Sequence, residues 1–118
     1  MPVNGIGGLF FRAKDPGALA AWYREHLGMD IGGDRVWDQA AGPTVLAPFP
    51  ADTDYFPAER QWMLNLRVSG LDGLLTTLRA AGIEAVTKAE WDAMGFGRFA
   101  RLHDPEGNPV ELWEPPPS

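Results

Sequence analysis

The chain contains no cysteine, which excludes a disulfide framework, a thiolate metal site and a thiol nucleophile together. It also lacks any apolar run near the roughly 20 residues that cross a bilayer. The opening Met1-Pro2-Val3-Asn4 has neither the basic nor the apolar block of an export signal. A cytoplasmic protein with no membrane contact is expected. Positive charge is in deficit, because ten Lys and Arg face sixteen Asp and Glu for a net charge of -6. The basic residues are scattered singly, so nucleic acid is not an expected partner. Histidine is scarce, with His26 and His103 alone. No glycine-rich phosphate loop, serine nucleophile elbow or paired-carboxylate spacing occurs.

What is present, in a chain of 118 residues suited to a single domain, is one unit written twice. Gly7 to Ala13 reads as a strand, and Asp15-Pro16 then supplies a helix cap followed by proline at the first helical position. A helix is expected from Pro16 to Leu27, with Leu19, Trp22, Tyr23 and Leu27 on one stripe and Gly28 at its end. The order then repeats. Met63 to Val68 reads as a strand and Leu71 to Ala81 as a helix carrying Leu71, Leu74, Leu75 and Leu78 on one side, closed by Gly82. A strand-helix unit cannot hide its apolar face alone, so two copies are a physically sensible way to close a core.

Further short strands are expected at Asp30 to Asp38, Thr44 to Pro48, Glu84 to Lys88, Arg98 to His103 and Pro109 to Glu114. The turn Asp104-Pro105-Glu106-Gly107-Asn108-Pro109 makes the last two a hairpin. Phe49 to Gln61 reads as a crossover loop, and Trp91, Met94 and Gly95-Phe96-Gly97 as a flap or an ordinary loop. The tail Pro115-Pro116-Pro117-Ser118 lacks ladder donors.

Lys14-Asp15-Pro16, Trp22-Tyr23-Arg24 with Leu27-Gly28, Val68-Ser69-Gly70-Leu71-Asp72 with Gly82, and Asp104-Pro105-Glu106-Gly107-Asn108 with Val110-Glu111-Leu112 together resemble the vicinal-oxygen-chelate superfamily. That superfamily includes glyoxalases, bleomycin-resistance proteins and extradiol dioxygenases. The resemblance covers nearly the whole chain. It implies an α+β fold of two βαβββ modules, here about residues 5–50 and 61–114, forming a curled mixed sheet around a cavity, in a homodimer.

Strand parity then sorts the side chains, because alternate residues face opposite sides. With Leu9, Phe11 and Ala13 under the first helix, Gly8, Phe10 and Arg12 face the cavity. With Leu64, Leu66 and Val68 under the second, Met63, Asn65 and Arg67 do so, joined on the hairpin by Glu111, Trp113, Phe99, Arg101 and His103.

Metal-binding relatives take His or carboxylate ligands from four wall positions. Here these fall on Gly8, on Met63, on a stretch between Ala40 and Pro50 without His, Asp or Glu, and on Glu111. No cofactor is expected on that basis, the alternative being a divalent metal held by His103 and Glu111. His103 also reads as a solvated strand-end residue, and His26 as a residue favoured by the helix dipole.

Two functions remain open. In one, Glu111 is the acid-base group of a lyase or isomerase, less readily a dioxygenase, and Arg12, Asn65 and Arg67 orient an anionic substrate. In the other, the domain binds or sequesters a small organic molecule, anionic or aromatic, through Phe10, Arg12, Met63, Asn65, Arg67, Phe99, Arg101 and Trp113. Arginines that snorkel to the rim and aromatics that serve as core are the structural alternatives.

Overall fold

Asp15 starts α1 (Pro16–Leu27) in the way its chemistry dictates, its Oδ1 accepting the Ala18 N–H at 3.0 Å while Pro16 occupies the first turn. Gly28 ends it at φ 67°, the left-handed conformation that a side chain disfavours, and donates to the Arg24 carbonyl at 3.2 Å. The computed structural model describes residues 2–117, which separate into one unit ending at Trp37 and a second running from Asp38 onward.

In the first unit α1 buries Leu19 and Tyr23, and Met29 is buried just past the helix end. Trp22 packs edge-on to Tyr23 at 5.0 Å, and Arg24 Nη1 donates to the Ile31 carbonyl at 2.8 Å. The strand expected from Gly7 to Ala13 is not formed. Its alternation survives only in part, with Phe11 and Ala13 half-buried but Leu9 exposed along with Gly8, Phe10 and Arg12. A strand exists only when its backbone is paired, and this segment enters no ladder among the described residues. The strand expected from Asp30 to Asp38 is replaced by turns, with Arg35 N donating to Gly32 O at 3.1 Å and Gly32 and Gly33 both at positive φ.

In the second unit β1 (Leu64–Arg67), β2 (Arg98–His103) and β3 (Pro109–Glu114) form a mixed sheet in the order β1-β3-β2, β3 being parallel to β1 and antiparallel to β2. The hairpin occupies the expected residues. Asp104 fixes its turn by accepting the Glu106 and Asn108 N–H groups on Oδ1 and the Asn108 amide on Oδ2. Arg60 straps the turn from outside, donating to Asn108 Oδ1 and the Glu106 carbonyl.

Between β1 and β2 in the chain comes α2 (Leu71–Ala80), whose Leu71, Leu75 and Leu78 are buried at helical spacing. The apolar sheet residues Ala100, Leu102, Val110 and Leu112 are buried with them, which makes this the core of the unit.

Two further strand expectations give way to local chemistry. Thr44 to Pro48 is not a strand; Pro43 and Pro48 flank it without N–H donors, and Val45 and Leu46 are exposed. Glu84 to Lys88 shrinks to one bridge, Val86 to Arg101, with both backbone bonds at 2.8 Å. Of the residues read as a flap or an ordinary loop, Trp91 lies in a short helix α3 (Ala89–Asp92), and Met94 to Gly97 follow it as turn and bend. The fold class is α+β. The strands of a first βαβββ module are not formed among the described residues, so the sheet is this open three-stranded one.

The start of α2 has an unusual cap. Gly70 offers no side chain, and Glu114 at the end of β3 accepts the Gly70 N–H at 2.7 Å and the Leu71 N–H at 3.3 Å through Oε2. A carboxylate from the sheet therefore satisfies the orphan donors of a helix and meets its positive end. Glu114→Ala is expected to lower stability by about 1 kcal/mol, read as a lower urea midpoint at unchanged slope. An unchanged midpoint would show that water caps α2 equally well.

Candidate functional site

Strand parity and register together assemble one face of the second unit. In the ladder Asn65 lies beside Glu111 and Glu111 beside Arg101, giving a row across all three strands; the next row is Arg67, Trp113, Phe99. Six residues named from sequence therefore share one sheet face, opposite the leucines of the core. His103 falls in a third row, opposite Pro109, and is exposed. Met63 directly precedes β1 and is half-buried. Phe10 and Arg12 belong to the N-terminal unit, where both are exposed.

Glu111 is the centre of the first row and is only 5% exposed. A buried carboxylate needs hydrogen-bond donors. It receives one on each oxygen, from Asn65 Nδ2 to Oε1 at 2.7 Å and from the Tyr55 hydroxyl to Oε2. Tyr55 arrives on the loop between Asp38 and Met63 and was not among the residues expected at the site. The only trace in the sequence is the aromatic density of that loop, where Phe49 lies 5.6 Å from Tyr55 and 5.8 Å from Phe56 between ring centroids.

Arg101 stands directly across from Glu111 in the register, yet the carboxylate takes its hydrogen bonds from Tyr55 and Asn65. The guanidinium instead lies over aromatic rings, its carbon 4.9 Å from the Tyr55 centroid and 5.6 Å from that of Trp91. Trp91 comes from α3 and meets Tyr55 edge-on at 6.2 Å, with the Lys88 ammonium 5.3 Å from its ring. Arg101 Nε and Nη2 are buried without a hydrogen-bond partner.

The second row is spent differently. Arg67 donates to the Pro43 and Ala40 carbonyls, each at 2.6 Å, and so pins the loop that passes over it. A side chain at Gly42 would collide with that guanidinium, its Cβ lying 2.7 Å from the Arg67 Cζ. Phe99 and Trp113 stack with ring planes 8° apart and centroids 6.4 Å apart, while Trp113 Nε1 donates to the Phe96 carbonyl at 2.7 Å.

The donor set does not suit the metal of the chelating relatives. Glu111 is held on both oxygens, Met63 offers a thioether with little affinity for hard divalent ions, and Gly8 has no side chain. Among the described residues no three His, Cys, Asp or Glu side chains gather as a metal-holding group.

The family is shown by comparison. The Glyoxalase-like domain family matches residues 8–113, and the chain belongs to it. Among solved structures it is similar to TnmS3, an antibiotic binding protein from Streptomyces sp. CB03234, at 24% identity and a TM-score of 0.64, covering 98% of this chain and 99% of that one. It is also similar to a glyoxalase/bleomycin resistance protein from the same organism, at 26% identity and a TM-score of 0.52, covering 86% and 92%. No curated protein matches it. No helix among the described residues is long and apolar enough to cross a membrane.

Burial holds the Tyr55 phenol up at a pKa of about 12, against an ordinary 10.0; its bond to Glu111 and that group's charge add to the rise, and Arg101 partly offsets it. The neutral phenol is the form the folded state favours. Its contribution to stability is therefore complete below pH 10 and is lost as pH climbs from about 10 to about 12. In the near-ultraviolet, the wild-type minus Tyr55→Phe difference spectrum should titrate near pH 12, and a midpoint near 10 would contradict the buried, Glu111-bonded setting of Tyr55.

Proposed function

We propose that this domain is a non-catalytic small-molecule binding protein that sequesters its ligand on the polar and aromatic face of the second unit. The observation that supports this best is the state of Glu111. A general base has to reach the substrate proton, whereas Glu111 is only 5% exposed and each of its oxygens already accepts a hydrogen bond from the protein. Around it stand Tyr55, Trp91, Phe99 and Trp113, the aromatic surfaces that suit a flat organic ligand. That one structural neighbour is an antibiotic binding protein and another a glyoxalase/bleomycin resistance protein accords with the same reading.

In this reading Arg101, Phe99, Trp113 and Asn65 contact the ligand, Arg67 and Met63 support the wall, and no metal or other cofactor takes part. The protein acts in the cytoplasm as a homodimer, and light scattering at micromolar concentration should return twice the chain mass.

Tryptophan fluorescence titrated with bleomycin and a panel of aromatic antibiotics is expected to show saturable quenching that survives Glu111→Gln. The same protein should not turn over the hemithioacetal of methylglyoxal and glutathione. Turnover of any of these compounds that disappears in Glu111→Gln while binding persists would replace the binder with a lyase or isomerase using Glu111.

A further inference from the structure

Among the described residues, Arg101 is the one with buried side-chain donors left without a hydrogen-bond partner, and their geometry is specific. Guanidinium donors are arranged in a planar fork, and Nε–H and the adjacent Nη2–H point the same way from one edge. These are the two atoms of Arg101 that are buried without any hydrogen-bond partner. The protein therefore leaves a complete bidentate edge unused rather than a stray donor.

Elsewhere in the same sheet face the chain satisfies its donors closely. Arg67 finds two carbonyls, Trp113 finds the Phe96 carbonyl, and Asn65 and Tyr55 share the Glu111 carboxylate. Glu111 is the acidic neighbour of Arg101 in the register, and its bonds are committed to those other partners. A buried donor pair in the dry part of a site gains most from an acceptor that arrives with a ligand.

We infer that the Nε–Nη2 edge of Arg101 is a subsite for a planar two-oxygen anionic group, a carboxylate, carried on an aromatic ligand. The carboxylate geometry follows from the fork, since two parallel N–H groups match two oxygens on one carbon. The aromatic part follows from the surroundings, because the guanidinium lies between 4.9 and 5.6 Å from the Tyr55 and Trp91 ring centroids. Tyr55 shows what suits this corner: its phenol donates to Glu111 while its ring lies against Arg101, so a ligand ring entering here stacks beside it. Lys88 over the far ring adds a second positive charge to the same corner. The subsite rests on the binding function proposed above and specifies its ligand class.

The test uses the full chain labelled with nitrogen-15, the Arg101 Nε–H resonance assigned through bonds in the wild type, and two probes, benzoate and its neutral analogue benzyl alcohol, at matched ionic strength. Benzoate is expected to move the Arg101 Nε–H saturably downfield, and benzyl alcohol to move the Trp91 indole resonance alone. In Arg101→Lys, whose amide spectrum reports that it folds, benzoate affinity should fall about tenfold as the bidentate geometry is lost, with benzyl alcohol unaffected.

Benzoate that leaves the wild-type Nε–H unmoved, or that binds no better than benzyl alcohol, overturns the subsite. If the aromatic antibiotics still quench tryptophan fluorescence in that case, the binding function stands and only the carboxylate subsite falls. If neither probes nor antibiotics bind, both fall.

Discussion

A buried carboxylate in the middle strand governs the second unit. Glu111 sits at the centre of β3, almost wholly out of water, and a charge in that position is tolerable only with donors on its oxygens. Those donors come from a neighbouring strand, through Asn65, and from a long loop, through Tyr55, 56 residues away in sequence. The one constraint thus fixes the register of β1 against β3, ties the loop between Asp38 and Met63 to the sheet, and brings an aromatic ring over Arg101. Polar pairing at the centre of a small sheet specifies geometry more than it adds stability.

The arginines show how such a constraint distributes charge. Arg12, Arg67 and Arg101 were expected on the cavity wall, with snorkelling to the rim as the structural alternative. Arg67 spends its donors on the Ala40 and Pro43 carbonyls, and Arg101 keeps an unused edge beside the carboxylate. Backbone carbonyls are acceptors that every loop carries, so a long Arg side chain near a loop is more readily absorbed there than composition suggests.

What was legible in the sequence was local. Asp15, Pro16 and Gly28 bound α1 because capping is decided within four residues, and the Asp104 to Asn108 turn fixed the hairpin for the same reason. Period-two alternation also placed Asn65, Arg67, Phe99, Arg101, Glu111 and Trp113 on one face, since parity needs only a correct strand. The strands expected at Gly7 to Ala13, Asp30 to Asp38 and Thr44 to Pro48 depended on partners far along the chain, which propensity does not supply. Glycines at turn geometry and prolines without donors decided the last two locally. Tyr55 was illegible because its importance lies in a contact across 56 residues, from a loop with no periodicity to read.

The balance between catalysis and binding turns on what the fold does with Glu111. An acid-base carboxylate is kept reactive by leaving one oxygen facing the substrate, so that a proton has somewhere to go. Here the phenol of Tyr55 bonds one of the two oxygens and is itself hard to ionise, so it is neither a ready base nor a strong acid. A proton removed from a substrate would have to reach a carboxylate that is almost out of water and already hydrogen-bonded on both oxygens. Recognition has no such requirement. It needs a rigid polar centre that holds neighbouring rings and charges in place, and a carboxylate clamped from both sides is well suited to that task.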